Sequence, residues 1–252
     1  MKTAVIIQAR MGSSRLPGKV LSLVCGKSLL AHLVERLRTQ PVGEIVVATT
    51  IAPADIAIVN ECAHLGVQVV RGSEDDVLSR YLYAAEMVKA ERIVRITADC
   101  PLLEPALIPA MLEQLEAEQL DYLTNSPEEG LPLGQSVEVF TRDALEHAGK
   151  MATERYQREH VTPYLYEDPT RCRSAQIGWP ASMERTWPND LSHHRWTVDT
   201  PEDLDLVTRI LEALYRPGKL FGIQDVVDVL AAHPAWMAIN ADVRQKTYLE
   251  AG

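Results

Sequence analysis

Four short runs rich in valine and isoleucine, at residues 5–9, 45–49, 67–70 and 93–97, punctuate the first hundred residues of this chain. Their apolar residues are continuous rather than alternating, the pattern of strands buried on both faces. Helical spacing fills the intervals, at about 28–39, 53–64 and 75–89, and again through Leu107, Ile108, Met111, Leu112 and Leu115. Parallel strands need long crossovers, so this rhythm predicts a mostly parallel sheet covered by helices on both faces. Ligands of such folds collect beyond the carboxyl ends of the strands, where strand order reverses.

After residue 120 the rhythm loosens. Strands are expected at 121–125 and 136–140, flanking a Pro/Gly-rich loop at 126–134. Helices follow at 143–150 and 153–166, then a strand at 173–178, irregular chain at 180–194 and a strand at 195–198. Leu204, Val207, Ile210, Leu211 and Leu214 mark one face of a strong helix, and two short helices complete the tail. No repeat or low-complexity tract interrupts the chain. The expected organisation is one domain over 1–221, with a small lobe inserted at 122–180, and a helical tail at 222–252. Val226, Val227, Leu230 and Trp236 of that tail need burial, which either a homodimer interface or packing within the chain would provide.

With 46% hydrophobic and 24% charged residues, the 252-residue chain has the composition of a globular protein with a sizeable core. The formal charge of −10 argues against nucleic acid or an anionic membrane as partner. Residues 1–40 nevertheless hold seven Lys/Arg against Glu35 alone, a positive zone suited to a small anionic ligand. Cys25, Cys62, Cys100 and Cys172 lack any CxxC spacing and are expected to be reduced thiols of a cytoplasmic protein. Neither a signal peptide nor an apolar run of about 20 residues is visible.

The positive zone centres on Gln8-Ala9-Arg10-Met11-Gly12-Ser13-Ser14-Arg15-Leu16-Pro17-Gly18-Lys19, which leaves the first predicted strand. A Gly/Ser loop after a strand can turn backbone N–H groups toward an anion, and Arg10, Arg15 and Lys19 add charge-assisted donors for phosphate oxygens. The spacing is not that of a Walker P-loop, because five residues separate Gly12 from Gly18 and Val20 follows Lys19. It is not GxGxxG either.

Two acids stand where a ligand rim is expected. Asp99 ends the strand of "RITADCPLL", and Asp199 follows the strand of "RWTVDTPEDL". Thr200, Pro201 and Asp203 make a helix-capping pattern that leaves Asp199 one position outside the cap. Two carboxylates beside a cationic loop suit a Mg²⁺ ion shared with phosphate oxygens. The sequence Thr97-Ala98-Asp99 lacks the DxD string of many glycosyltransferases, which favours nucleotidyl transfer over sugar transfer.

"QARMGSSRLPGK" resembles the N-terminal signature of the sugar-acid cytidylyltransferases, those for sialic acid and 3-deoxy-manno-octulosonate and the spore-coat polysaccharide F-type proteins. The resemblance runs to about residue 215. It implies a Rossmann-like nucleotide-diphospho-sugar transferase fold and a Mg²⁺-dependent transfer of CMP from CTP to a sugar acid, in surface polysaccharide synthesis. By position, Arg10, Gly12, Ser13, Arg15 and Lys19 would contact the triphosphate, and Asp99 and Asp199 would hold the metal. Arg80 would lie near base or ribose, although "RGSEDDVLSR" reads equally as a capped helix with an exposed arginine. "NSPEEGLPLGQSVEVF" resembles the acceptor-side stretch, which would put Asn125 and Glu138 near the acceptor in the 122–180 lobe. Ser136 stands where many relatives carry an acid. "YQREHVTPYLY" matches a further block that would bring Arg158 and His160 to the acceptor, although a His beside Glu159 also fits a structural pair. Uridylyl or guanylyl transfer to a sugar phosphate, and a nucleotide-binding homologue without turnover, are the alternative readings.

Overall fold

The computed structural model describes residues 1–125, 130–187 and 190–245. The strands are β1 (Thr3–Gln8), β2 (Leu23–Val24), β3 (Lys27–Ser28), β4 (Glu44–Thr50), β5 (Gln68–Gly72), β6 (Arg92–Thr97), β7 (Tyr122–Asn125), β8 (Glu138–Thr141) and β9 (Ser174–Ile177). The helices are α1 (Leu29–Leu37), α2 (Ile56–Leu65), α3 (Val77–Val88), α4 (Leu107–Ala117), α5 (Arg142–Met151), α6 (Arg155–His160), α7 (Pro163–Tyr166), α8 (Pro201–Leu214) and α9 (Ile223–Ala232).

Seven strands form one mixed sheet in the order β5-β4-β1-β6-β8-β7-β9, while β2 and β3 pair separately. The chain winds outward from β1 through β4 to β5, then returns to β6 on the other side of β1. The strand order therefore reverses between β1 and β6, and the crevice beyond their carboxyl ends is the expected place for a ligand. Strand β8 runs antiparallel to β6 and β7, so the strands at 122–177 extend the main sheet.

Period-two alternation distributes the strand side chains between two layers. Val5, Ile7, Val47, Val94 and Ile96 pack with Leu30, Leu33, Ile58, Leu107 and Met111 of α1, α2 and α4. Ala4, Ile6, Val46, Ala48 and Ile93 face the opposite layer, with Leu78, Tyr81 and Ala85 of α3 and Leu145 of α5. A third cluster joins α8 and α9 around Trp196, Val198, Leu206, Val207, Ile210 and Leu230. Packing within the chain thus buries Val226 and Leu230 and partly covers Val227 and Trp236. Among the described residues no helix is long and apolar enough to cross a membrane.

Two expectations are corrected. The helix expected at 153–166 is two short helices, because Val161 adopts φ 72°, ψ −55° and Thr162 N donates to His160 O at 2.9 Å. This γ-turn, with Pro163 opening α7, breaks the helix. The strand expected at 195–198 forms no ladder and makes a single bridge, from Arg195 to Leu133. The segment is instead threaded between two loops, with Trp196 N donating to Leu133 O at 2.7 Å and Val198 N to Asp99 O at 2.8 Å.

Candidate active site

The loop after β1 is held from beneath. Asp55, fully buried, accepts from Met11 N at 2.8 Å, from Thr50 Oγ1 at 2.6 Å, from Thr49 Oγ1 at 3.0 Å and from Thr50 N at 3.1 Å. Burial alone would raise this carboxyl, but the hydrogen bonds from Thr50, Met11 and Thr49 outweigh it and hold it below the ordinary value. Gly18 N then donates to Met11 O at 2.9 Å and closes the loop. Gly18 sits at φ 75°, a left-handed conformation that glycine adopts without penalty. The turn delivers Lys19 into the crevice at the switch point.

Lys19 Nζ lies 2.6 Å from Asp99 Oδ2 and 2.7 Å from Asp199 Oδ1. Asp99 arrives from the end of β6. Asp199 arrives from the far end of the chain, fixed by the cap of α8: Asp203 Oδ2 accepts from Asp199 N at 2.9 Å and Thr200 N at 3.1 Å, and Asp203 N donates to Thr200 Oγ1 at 3.3 Å. The second Asp199 oxygen receives Arg195 Nη2 at 2.6 Å and Arg15 Nη2 at 3.0 Å. Burial disfavours the Lys19 ammonium, yet Asp99 and Asp199 more than compensate and hold it above the ordinary lysine value. Asp199 is likewise held below the carboxylate range, because Lys19, Arg15 and Arg195 outweigh its burial. Cys100 is pushed up to about 12 by burial and by Asp99, so it is a neutral thiol rather than a nucleophile.

A cavity of about 410 Å³ opens over this cluster, lined by Arg10, Ser13, Arg15, Lys19, Asp99, His160 and Asp199. These seven are candidates from the sequence that the fold brings together. Arg10 also pairs with Glu74 at 3.2 Å, and Gly12 lies beside that pair, where a β-carbon would stand 3.3 Å from Glu74 Oε1.

Four other candidates lie elsewhere. Arg80 is neither a cavity residue nor exposed; it is buried, with Nη1 donating to Ser73 O at 2.6 Å, and its stem packs where a side chain at Gly72 would be. Its acidic helix start is capped by Asp76, which accepts from Ser79 N at 3.0 Å. Asn125 is buried, and its amide clamps the β7–β8 turn, donating to Gln135 O at 2.7 Å and accepting from Val137 N at 2.6 Å. Arg158 pairs with Asp76 at 2.7 Å and reaches Ala152 O at 3.2 Å, joining α6 to α3. Glu138 stands behind the cavity wall rather than in it. It pairs with Arg95, its directly opposed neighbour across β6 and β8, and accepts from Tyr122 OH and Thr162 Oγ1 at 2.6 Å each. The loop expected to cover the substrate lies partly outside the described residues, at 126–129.

Other residues at the site escaped the sequence reading. Gln8, Ser14, Arg95, Thr97 and Gln245 also line the cavity, and Arg195 braces Asp199 from behind. Gln8 and Thr97 are polar residues ending apolar strands, a signal that was available. Arg195 opens the "RWTVDTPEDL" string, where only the acid drew a role, and Gln245 belongs to no motif.

The arrangement gathers two carboxylates and several cations at the carboxyl ends of parallel strands, and among the described residues lining it no side-chain nucleophile is primed by a base. It can hold and neutralise a polyanion. The cytidylyltransferase family matches residues 4–219. The chain is 41% identical to an uncharacterized protein of Methanocaldococcus jannaschii, over 99% of both chains. It is 33% identical to the spore coat polysaccharide biosynthesis protein SpsF of Bacillus subtilis, covering 84% of this chain and 85% of that one. It is 28% identical to a 3-deoxy-manno-octulosonate cytidylyltransferase of Sinorhizobium medicae, covering 84% and 96%. A solved cytidylyltransferase of Leptospira borgpetersenii superposes with a TM-score of 0.85 at 30% identity, covering 98% of this chain and 99% of that one.

Proposed function

The chain belongs to the cytidylyltransferase family, and on that premise we propose that it transfers CMP from CTP to a sugar acid, releasing pyrophosphate. The observation that carries this reading is the convergence of Lys19 with Asp99 and Asp199 beneath the β1 loop. The sugar-acid acceptor is supported by the substrate named for the 3-deoxy-manno-octulosonate relative, and a role in surface polysaccharide synthesis by the name of the spore-coat relative.

In the reaction the acceptor hydroxyl oxygen bonds to the α-phosphorus while the bond from that phosphorus to the pyrophosphate oxygen breaks. The hydroxyl proton passes to water. Catalysis of this kind rests on position and charge more than on covalent help. Lys19, Arg15 and Arg10 hold the β- and γ-phosphate oxygens and stabilise the departing pyrophosphate. Asp99 and Asp199 would hold Mg²⁺: their oxygens flank the position that the Lys19 ammonium takes here, and two hard carboxylates are a donor set that suits this ion. When bound, Mg²⁺ would supply charge neutralisation and a lowered pKa for the attacking hydroxyl. His160 and Arg95 form the acceptor-side wall, with Glu138 fixing the arginine from behind.

The test is pyrophosphate release from each of the four NTPs with Mg²⁺, against a panel of keto-sugar acids and sugar phosphates. Release with CTP and a sugar acid supports the reading. Release only with UTP or GTP and a sugar phosphate, or none with any pair, overturns it.

A further inference from the structure

The region matched by the family ends at residue 219, yet the chain beyond it returns to the active site. After α9 the tail is latched by Asn240, which is buried and donates through Nδ2 to Arg195 O at 3.0 Å and to Asp203 Oδ1 at 2.8 Å. Five residues later the tail reaches the cavity. Gln245 Oε1 accepts from Arg195 Nη1 at 2.6 Å, and Arg244 O accepts from Arg15 Nη1 at 3.2 Å.

These two contacts fall on the two guanidinium groups that flank Asp199. Arg195 is held on three sides, by Asp203 through Nε at 2.8 Å, by Asp199 at 2.6 Å and by Gln245. Arg15 is held between Asp199 and the Arg244 carbonyl. Arg15 lines the cavity, and a long cationic side chain left loose must be ordered when it binds a phosphate, which weakens binding, whereas one already fixed has lost that freedom beforehand. Arg195, behind the wall, acts on the site by holding Asp199.

We infer that the tail segment 240–245 is a working part of the nucleotide site, with Gln245 and the Arg244 carbonyl acting as positioning groups that hold Arg195 and Arg15 in register with Asp199 for the triphosphate. Asn240 is the latch that brings them there. The inference rests on the nucleotide reading above and adds to it a segment outside the matched region.

Calorimetric titration of CTP into the full-length protein without acceptor tests it, with thermal midpoints measured in parallel. Gln245→Ala removes an acceptor from a charged donor and is expected to weaken CTP binding about tenfold, with the midpoint unchanged within about 1 °C. Gln245→Asn keeps a neutral amide oxygen and is expected to lose less affinity than Gln245→Ala. Asn240→Ala, which unlatches the tail at its root, shifts affinity in the same direction as Gln245→Ala. Wild-type affinity in Gln245→Ala overturns the inference while leaving the nucleotide reading intact. A loss in Gln245→Ala that is matched by a fall in midpoint overturns it as well. A wild-type protein that binds no CTP overturns the nucleotide reading, and the inference with it.

Discussion

Asp55 Oδ1 accepts the Met11 amide at 2.8 Å, tying the start of the second helical crossover to the loop that leaves the first strand. Four donors from Met11, Thr49 and Thr50 converge on this one carboxylate in the interior. Asp55→Ala would strand them. The expected cost is about 3 kcal/mol, a drop of roughly 6–12 °C in the thermal midpoint, with a weakened grip on CTP as the loop loosens.

The same carboxyl gives the protein an acid limit. Its folded value is depressed below the ordinary 3.8, so its contribution is complete above about pH 5 and is lost as pH falls through the lowered value. Lys19 works in the opposite sense: its raised value leaves its contribution intact below the ordinary 10.5 and loses it only at more alkaline pH. Burial also lowers the imidazoles of His32 and His194, His194 to about 4. Thermal midpoints should therefore begin to fall below about pH 6.5 and fall further below about pH 4, and Asp55→Asn should flatten only the lower limb.

Lys19 and Asp99 are expected to be indispensable to turnover. Lys19→Ala and Asp99→Ala should each lower the rate by about 10²–10³ in folded, purified protein. Lys19→Arg should not restore it, because a planar fork cannot replace a compact ammonium seated between two carboxylates. Steady-state rates with circular dichroism as a folding control check both statements.

The Arg95–Glu138 pair separates architecture from binding. Arg95→Ala leaves the half-buried Glu138 without its counter-charge, for an expected loss of about 1–3 kcal/mol. The double variant Arg95→Met/Glu138→Gln should recover most of that stability while failing to bind the acceptor. Chemical denaturation and acceptor titration distinguish the two effects.

Gly134 is where the threaded segment passes closest. At φ 107°, a β-carbon there would come within 2.8 Å of Thr197 N, so Gly134→Ala must push the chain that carries Asp199. The expected result is a loss of several kcal/mol, about 3 or more, read as a fall in thermal midpoint together with lost CTP binding.

Much of this organisation is legible in the sequence because it is local or periodic. The β1, β4, β5 and β6 runs and their helices announce the layered sheet, and the Thr200–Asp203 cap is readable as a string. Asp99 and Asp199 follow from their places after apolar runs. What escaped reading depends on long-range placement. Asn125, Arg158 and Glu138 belong to the resembled blocks, but their polar groups are spent on Val137, Asp76 and Arg95; a family pattern keeps structural residues as well as ligands. Nothing local to Arg80 signals its burial, which depends on the missing side chain at Gly72. The bend at Val161 had only Pro163 to signal it. Arg95 sat in an apolar run whose neighbouring strand could not be assigned, and Gln245 had no motif.

Lys19 and Asp199 are 180 positions apart. Distant pairings of this kind form late, because the long intervening chain must first be ordered before the contact repays it. During synthesis the leading end of the protein can build its sheet while the segment bearing Asp199 is still being made. The cleft is therefore finished by the last quarter of the polypeptide, and a nascent or prematurely terminated product would carry the basic loop without the acid that balances it.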